Sequence, residues 1–137
     1  MNATPITIST QINNDIQTVW ERYTQPEHIT QWNFADVSWC CPYAENDLRV
    51  GGKYLARMEA KDGSFGFDFE AKYTLVSMHE RLVYEFGGRM ASIQFASNET
   101  GTEVTITFDP ESENPVELQQ QGWQSILNRF KSYAESP

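Results

Sequence analysis

VWERYTQPEHITQW, residues Val19–Trp32, sets a tryptophan on each side of a Thr-Gln-Pro break. Ile16, Val19, Trp20 and Tyr23 recur at i, i+3, i+4 and i+7, which places them on one face of an amphipathic helix. Pro26 cannot continue that helix, because it lacks an amide hydrogen, but its fixed φ suits the first turn of a new one. Ile29 and Trp32 then lie three apart on one face of a second, short helix. The stretch reads as a bent pair of helices with its large residues turned inward. Asn14, with Gln17 three positions on, gives the first helix a capping-box-like start.

Upstream, ITISTQI at Ile6–Ile12 is β-rich and predicts a strand. Downstream, Asn33 to Leu48 holds Trp39, Cys40, Cys41 and Pro42 with no clean period, and reads as a loop partly packed on the body. After Gly51-Gly52, Tyr54, Ala56 and Met58 alternate against Leu55, Arg57 and Glu59, and Lys61-Asp62-Gly63-Ser64 turns that strand back. The partner strand carries the cleanest alternation in the chain. Phe65, Phe67, Phe69, Ala71 and Tyr73 share one face while Gly66, Asp68, Glu70 and Lys72 take the other, as in an antiparallel sheet wet on one side. A bulge is expected near Leu75 and Val76, where a slip of one residue turns every following side chain to the other face.

Leu82, Tyr84 and Phe86 make a further strand, Gly87-Gly88 a turn, and Ala91, Ile93 and Phe95 the next strand. Asn98 to Gly101 then turns into Val104, Ile106 and Phe108. At Asn114 a second capping box is expected, with Pro115 at the first helical position and Glu117 three residues after the cap. Trp123, Ile126, Leu127, Phe130 and Tyr133 keep the helical period for about five turns. A curved sheet with one apolar face needs a cover, and this last helix offers a stripe of matching length.

The chain has 137 residues, the length of one domain, and residues 1–137 are read as such. A formal net charge of −9 disfavours nucleic acid and anionic lipid surfaces, both of which select clustered Lys and Arg. No apolar run approaches the roughly 18 residues that span a bilayer, so membrane insertion is not expected. The N-terminal MNATPITIST lacks the pattern of a signal peptide, which makes the cytoplasm the expected compartment. Cys40 and Cys41, adjacent and the only cysteines, cannot staple distant segments.

Several stretches carry a family likeness. V-W-x-x-x-T-x-P-x-x-x-x-x-W at Val19–Trp32 resembles the START-like superfamily, and more closely the branch named after the activator of heat-shock protein 90 ATPase. DLRVGGKY at Asp47–Tyr54, MEAKDGSFGFDFEAKY at Met58–Tyr73, ERLVYEF at Glu80–Phe86, GTEVTITF at Gly101–Phe108 and GW at Gly122-Trp123 agree. The resemblance implies an α+β helix-grip fold: a curved antiparallel six-stranded sheet, two short helices in a V, and one long C-terminal helix enclosing a cavity. Trp20 and Trp32 then become packing residues of the V. Ala71 stands where the branch commonly has glycine, so a larger side chain is expected to intrude on the cavity or the strand bend. The chaperone-activating member carries a separate chaperone-binding domain ahead of this one, for which this chain leaves no room, so a chaperone partner is not expected.

Reactive groups are sparse. His28 and His79 have no H-x-H, H-x-x-x-H or C-x-x-C neighbour, so no metal and no cofactor is expected, and both read as exposed. Asp68 and Glu70 oppose Phe67 and Phe69 and read as solvated sheet-surface charges, while the two cysteines read as loop packing without a catalytic role. The glycine pairs precede strands or turns, not helices, unlike a phosphate loop. What remains is an aromatic surplus of 8 Phe, 4 Trp and 6 Tyr. In the implied fold the inward faces line the cavity, which makes Met58, Phe67, Phe69, Tyr84, Trp123 and Leu127 the expected wall, with Trp39 at its mouth. Tyr84 and Trp123 carry polar tips able to orient a ligand. Binding of a small apolar or aromatic molecule is the leading expectation, ahead of a cyclase- or hydrolase-type enzyme and of a protein-interaction module.

Overall fold

A computed structural model describes residues 4–137. Seven strands form one antiparallel sheet: β1 (Ile6–Ile12), β2 (Trp39–Asn46), β3 (Lys53–Ala60), β4 (Gly66–Ser77), β5 (Arg81–Phe86), β6 (Arg89–Asn98) and β7 (Gly101–Phe108). Their spatial order is β1-β7-β6-β5-β4-β3-β2, so β1 and β2 stand at opposite edges. Between them in sequence run α1 (Ile16–Thr24) and α2 (Pro26–Trp32), and α3 (Val116–Glu135) closes the chain. This is the helix-grip arrangement, α+β, with seven strands in place of the six expected.

The added strand is β2, which falls where a loop was expected. Its register against β3 shifts between Cys40 and Tyr43, at Cys41-Pro42, and the bulge breaks the period-2 pattern that announces a strand. Pro42 is tolerated because β2 is an edge. A second bulge lies between Tyr73 and Leu75, one residue before the expected place. Its extra residue leaves Leu75 exposed at 38% and turns Val76 onto the core.

Both helix starts differ from expectation. Asp15, not Asn14, caps α1, its carboxylate accepting from the Thr18 amide at 2.7 Å. The Asn14 side chain instead donates to Ala134 O at 2.9 Å, fastening the start of α1 to the end of α3. Pro115 occupies the cap position of α3 with no side-chain cap of its own. Gln119 secures that start, its amide accepting from Glu111 N at 2.8 Å and donating to Asn114 O at 2.8 Å.

The V of α1 and α2 supports α3 through aromatic contacts. Tyr23 and Trp32 stack at 5.0 Å, and each meets Phe130 of α3 edge-on, at 5.0 and 4.8 Å. The Trp32 indole donates to Arg22 O at 2.9 Å, tying the two arms together. Helix α3 has no basic residue in its last turn to meet its unpaired carbonyls. Arg22 supplies that charge from α1, donating to Tyr133 O, Ala134 O and Ser136 O at 3.2, 3.1 and 2.7 Å. On its other side α3 reaches the free edge of β1, where Lys131 Nζ donates to Gln11 O at 2.6 Å.

Neither histidine is fully exposed. His79 adopts φ 64° in the β4–β5 turn and meets the Trp20 ring edge-on at 5.7 Å. His28 is half-buried and hydrogen-bonds the Tyr133 hydroxyl.

Candidate functional site

The inward faces of β3, β4, β5 and β7 and one side of α3 do not meet completely, and a cavity of about 210 Å³ remains between them. From the sheet come Met58, Phe67, Phe69 and Tyr84; from the helix come Trp123 and Leu127. Parity explains the sheet set: Met58 pairs with Phe67, and Ala56 with Phe69, which keeps all four on one face. Helical period explains the other, since Trp123 and Leu127 are four apart. The Trp123 indole stacks on Phe108 at 4.0 Å and 9°, which fixes its orientation beside the cavity.

Trp39 is the exception among the expected residues. It does not line the cavity, but packs against Phe65 and Phe67 at 6.0 and 6.1 Å beyond the rim. At this end the inward face emerges into solvent, with Phe67 43% and Phe65 60% exposed. Trp20 is scaffold as expected, seated against Phe95 and away from the cavity. Trp32 does double duty, packing the V and lining the cavity. Ala71 is buried opposite Tyr54 without reaching the open space, so it does not intrude on the cavity.

The wall also includes residues that the sequence reading passed over. Tyr54 shares the face of Met58, and Ile106 lies on the inward face of β7, so strand parity contained both. Ile126 sits beside Leu127, and Tyr23 faces inward from α1. Asn33 had no periodic signal: it caps the end of α2, is 8% exposed, and donates to the Tyr54 hydroxyl at 2.9 Å.

Four buried phenols concentrate here. Burial holds the ionisation of Tyr54 and Tyr84 well above the ordinary tyrosine range, and that of Tyr23 and Tyr73 above it, the neighbouring phenols adding to the effect on Tyr23, Tyr54 and Tyr84. Tyr73 donates to Asn46 Oδ1 at 2.8 Å, and the Asn46 amide donates to Thr24 O at 2.7 Å, linking sheet to V. No lining residue carries a formal charge at neutral pH. Among the described residues no three His, Cys, Asp or Glu side chains converge on a common point.

Cys41 is buried and its thiol is pushed up to about 11, chiefly by burial, while Cys40 is half-buried; both are free. Asp68 is exposed and paired with Arg57 at 3.4 Å on the outer face, and Glu70 is exposed. No helix among the described residues is long and apolar enough to cross a membrane.

The fold and this cavity define a class, the START-like helix-grip proteins, and sequence comparison narrows it. The profile described as "Activator of Hsp90 ATPase homolog 1-like protein" matches residues 13–135, and the chain belongs to that family. An AHSA1-like protein from Aeromonas hydrophila, solved by solution NMR, is 42% identical over 96% of this chain and 92% of its own, with a TM-score of 0.91. A Cytophaga hutchinsonii protein is also 42% identical, over 97% of this chain and 93% of its own, with a TM-score of 0.83. A Chromobacterium violaceum protein shares the fold at 21% identity, over 98% of this chain and 100% of its own, with a TM-score of 0.87. No curated protein matches the chain significantly.

Proposed function

We propose that the chain binds a small hydrophobic or aromatic molecule in its internal cavity, as a carrier, sensor or sequestering protein, and performs no chemistry on it. The observation that supports this is the cavity of about 210 Å³, walled almost wholly by aromatic and aliphatic side chains. Burying roughly 250 Å² of apolar ligand at about 25 cal/mol per Å² is worth about 6 kcal/mol. Part of that is lost with the ligand's freedom, so affinity is weak to micromolar. Neither a chaperone, nucleic acid nor a bilayer is part of the proposal, which needs only the cavity.

A two-dimensional amide NMR titration against pooled flavonoid-like, fatty-acyl and polyketide-like compounds tests it. Saturable shifts at Met58, Phe67, Phe69, Trp123 and Leu127 are expected, together with the unchanged recovery of the hit. Silence at those positions across all pools overturns the proposal, and turnover of the hit replaces binding with catalysis.

A further inference from the structure

Tyr23 and Tyr84 line the cavity while only 9% and 6% exposed, and neither phenolic oxygen has a hydrogen-bond partner among the described residues. Yet no side-chain polar atom among those residues is both sealed from solvent and unpartnered. The two hydroxyls therefore reach open space, and the space they line is the cavity. Tyr54, stacked on Tyr84 at 5.8 Å and 22°, accepts from Asn33 and keeps its own proton to donate. Phenylalanine would fill the same wall without the penalty of desolvating a hydroxyl. Three phenol donors, in a wall whose other polar groups are the Asn33 amide and the Trp123 indole N–H, point to a partner on the ligand.

The wall holds no cation to neutralise a carboxylate or phosphate and no anion to pair with an ammonium, so burying a charged ligand here is opposed. Its phenols stay protonated because burial holds their ionisation up. The volume, about 210 Å³, compares with the roughly 150 Å³ of an engineered apolar cavity that takes benzene. We infer that Tyr23, Tyr54 and Tyr84 are the hydrogen-bond donors of this cavity, selecting a neutral ligand of one ring or a small fused pair that carries an acceptor oxygen, such as a ketone, ester or ether. The inference rests on the reading of the cavity as a binding site.

Three probes of similar size test it: acetophenone, ethylbenzene and benzoate, each titrated by NMR at neutral pH. Acetophenone binds about three- to tenfold more tightly than ethylbenzene, the range one neutral hydrogen bond provides, and benzoate does not compete. In Tyr23→Phe/Tyr84→Phe the preference for acetophenone over ethylbenzene shrinks, with Tyr54 left as the one remaining phenol donor. The infrared carbonyl band of bound acetophenone lies low in the wild type and moves up in that double variant, and melting curves establish that the variant is folded. Ethylbenzene binding as tightly as acetophenone, or equal weakening of both by the substitutions, overturns the donor role and leaves the cavity reading intact. If neither neutral probe binds, the donor inference falls, while the cavity reading falls only with silence across the pooled compounds.

Discussion

Gly122 lies about two turns into α3, beside the cavity residue Trp123, and a Cβ built on it meets nothing within 4 Å. Its φ is not in the left-handed region, so neither space nor backbone conformation requires glycine. Glycine inside a helix is about 1 kcal/mol less favourable than alanine, mostly because the unfolded chain has more freedom to lose. Gly122→Ala therefore stabilises by about 1 kcal/mol. With an unfolding entropy of about 2.1 cal/mol/K per residue over the chain, roughly 290 cal/mol/K, the midpoint rises by about 3 °C. Differential scanning calorimetry and urea titration measure it independently, the latter as a higher midpoint at unchanged slope. A lowered or unmoved midpoint refutes the reasoning, since it means that a contact or a bend at Gly122 uses the missing side chain.

The opposite outcome is expected at Gly52, where a Cβ would lie 2.0 Å from Asp47 O. Gly52→Ala destabilises by about 1–3 kcal/mol in urea unfolding, and a neutral result places that turn differently. The four buried phenols make stability sensitive to alkali. Their ionisation is raised in the fold, so their contribution is complete below the ordinary tyrosine value of about 10 and is lost as pH climbs from there through the higher folded-state values. Ultraviolet titration will show these tyrosines ionising only as the fold melts; their reversible ionisation near pH 10 in folded protein contradicts the burial argument. At neutral pH iodoacetamide modifies half-buried Cys40 before Cys41, whose thiol is pushed up to about 11, and peptide mass spectrometry reads the order.

The sequence carried most of the scaffold because burial on one face imposes a period. Tyr54, Ala56 and Met58 on β3, Phe67 and Phe69 on β4, and Leu127 and Phe130 on α3 all follow from it. Periodicity failed wherever the backbone broke step. The Cys41-Pro42 bulge concealed β2, and Phe65 kept the parity of Phe67 yet lies where the sheet runs out of cover. The caps failed for a different reason: Asn14 and Asp15 both have capping side chains, and only the position of Ala134, 120 residues away in sequence, decides which one turns inward to α3. Long-range geometry also brought Asn33 to Tyr54, and placed His79 under Trp20 where a free turn had been expected. The wall was legible residue by residue on the strands and the long helix; its polar members from the V were not.

A sheet that does not close leaves backbone groups unpaired along β1 and β2, the template on which separate molecules zip into aggregates. Along β1 that template is occupied, because Lys131 and, more distantly, Gln124 of α3 donate to Gln11 O and Ser9 O at 2.6 and 3.4 Å. Along β2 it is interrupted, because Pro42 offers no N–H and the bulge throws the strand out of step. The first edge is thus guarded by another element and the second by its own sequence. On heating, protection at β1 lasts only as long as α3 stays docked, whereas the proline and the bulge are built into β2 itself. Light scattering should accordingly begin with the release of α3, and the strand it uncovers is where the first intermolecular pairing would form.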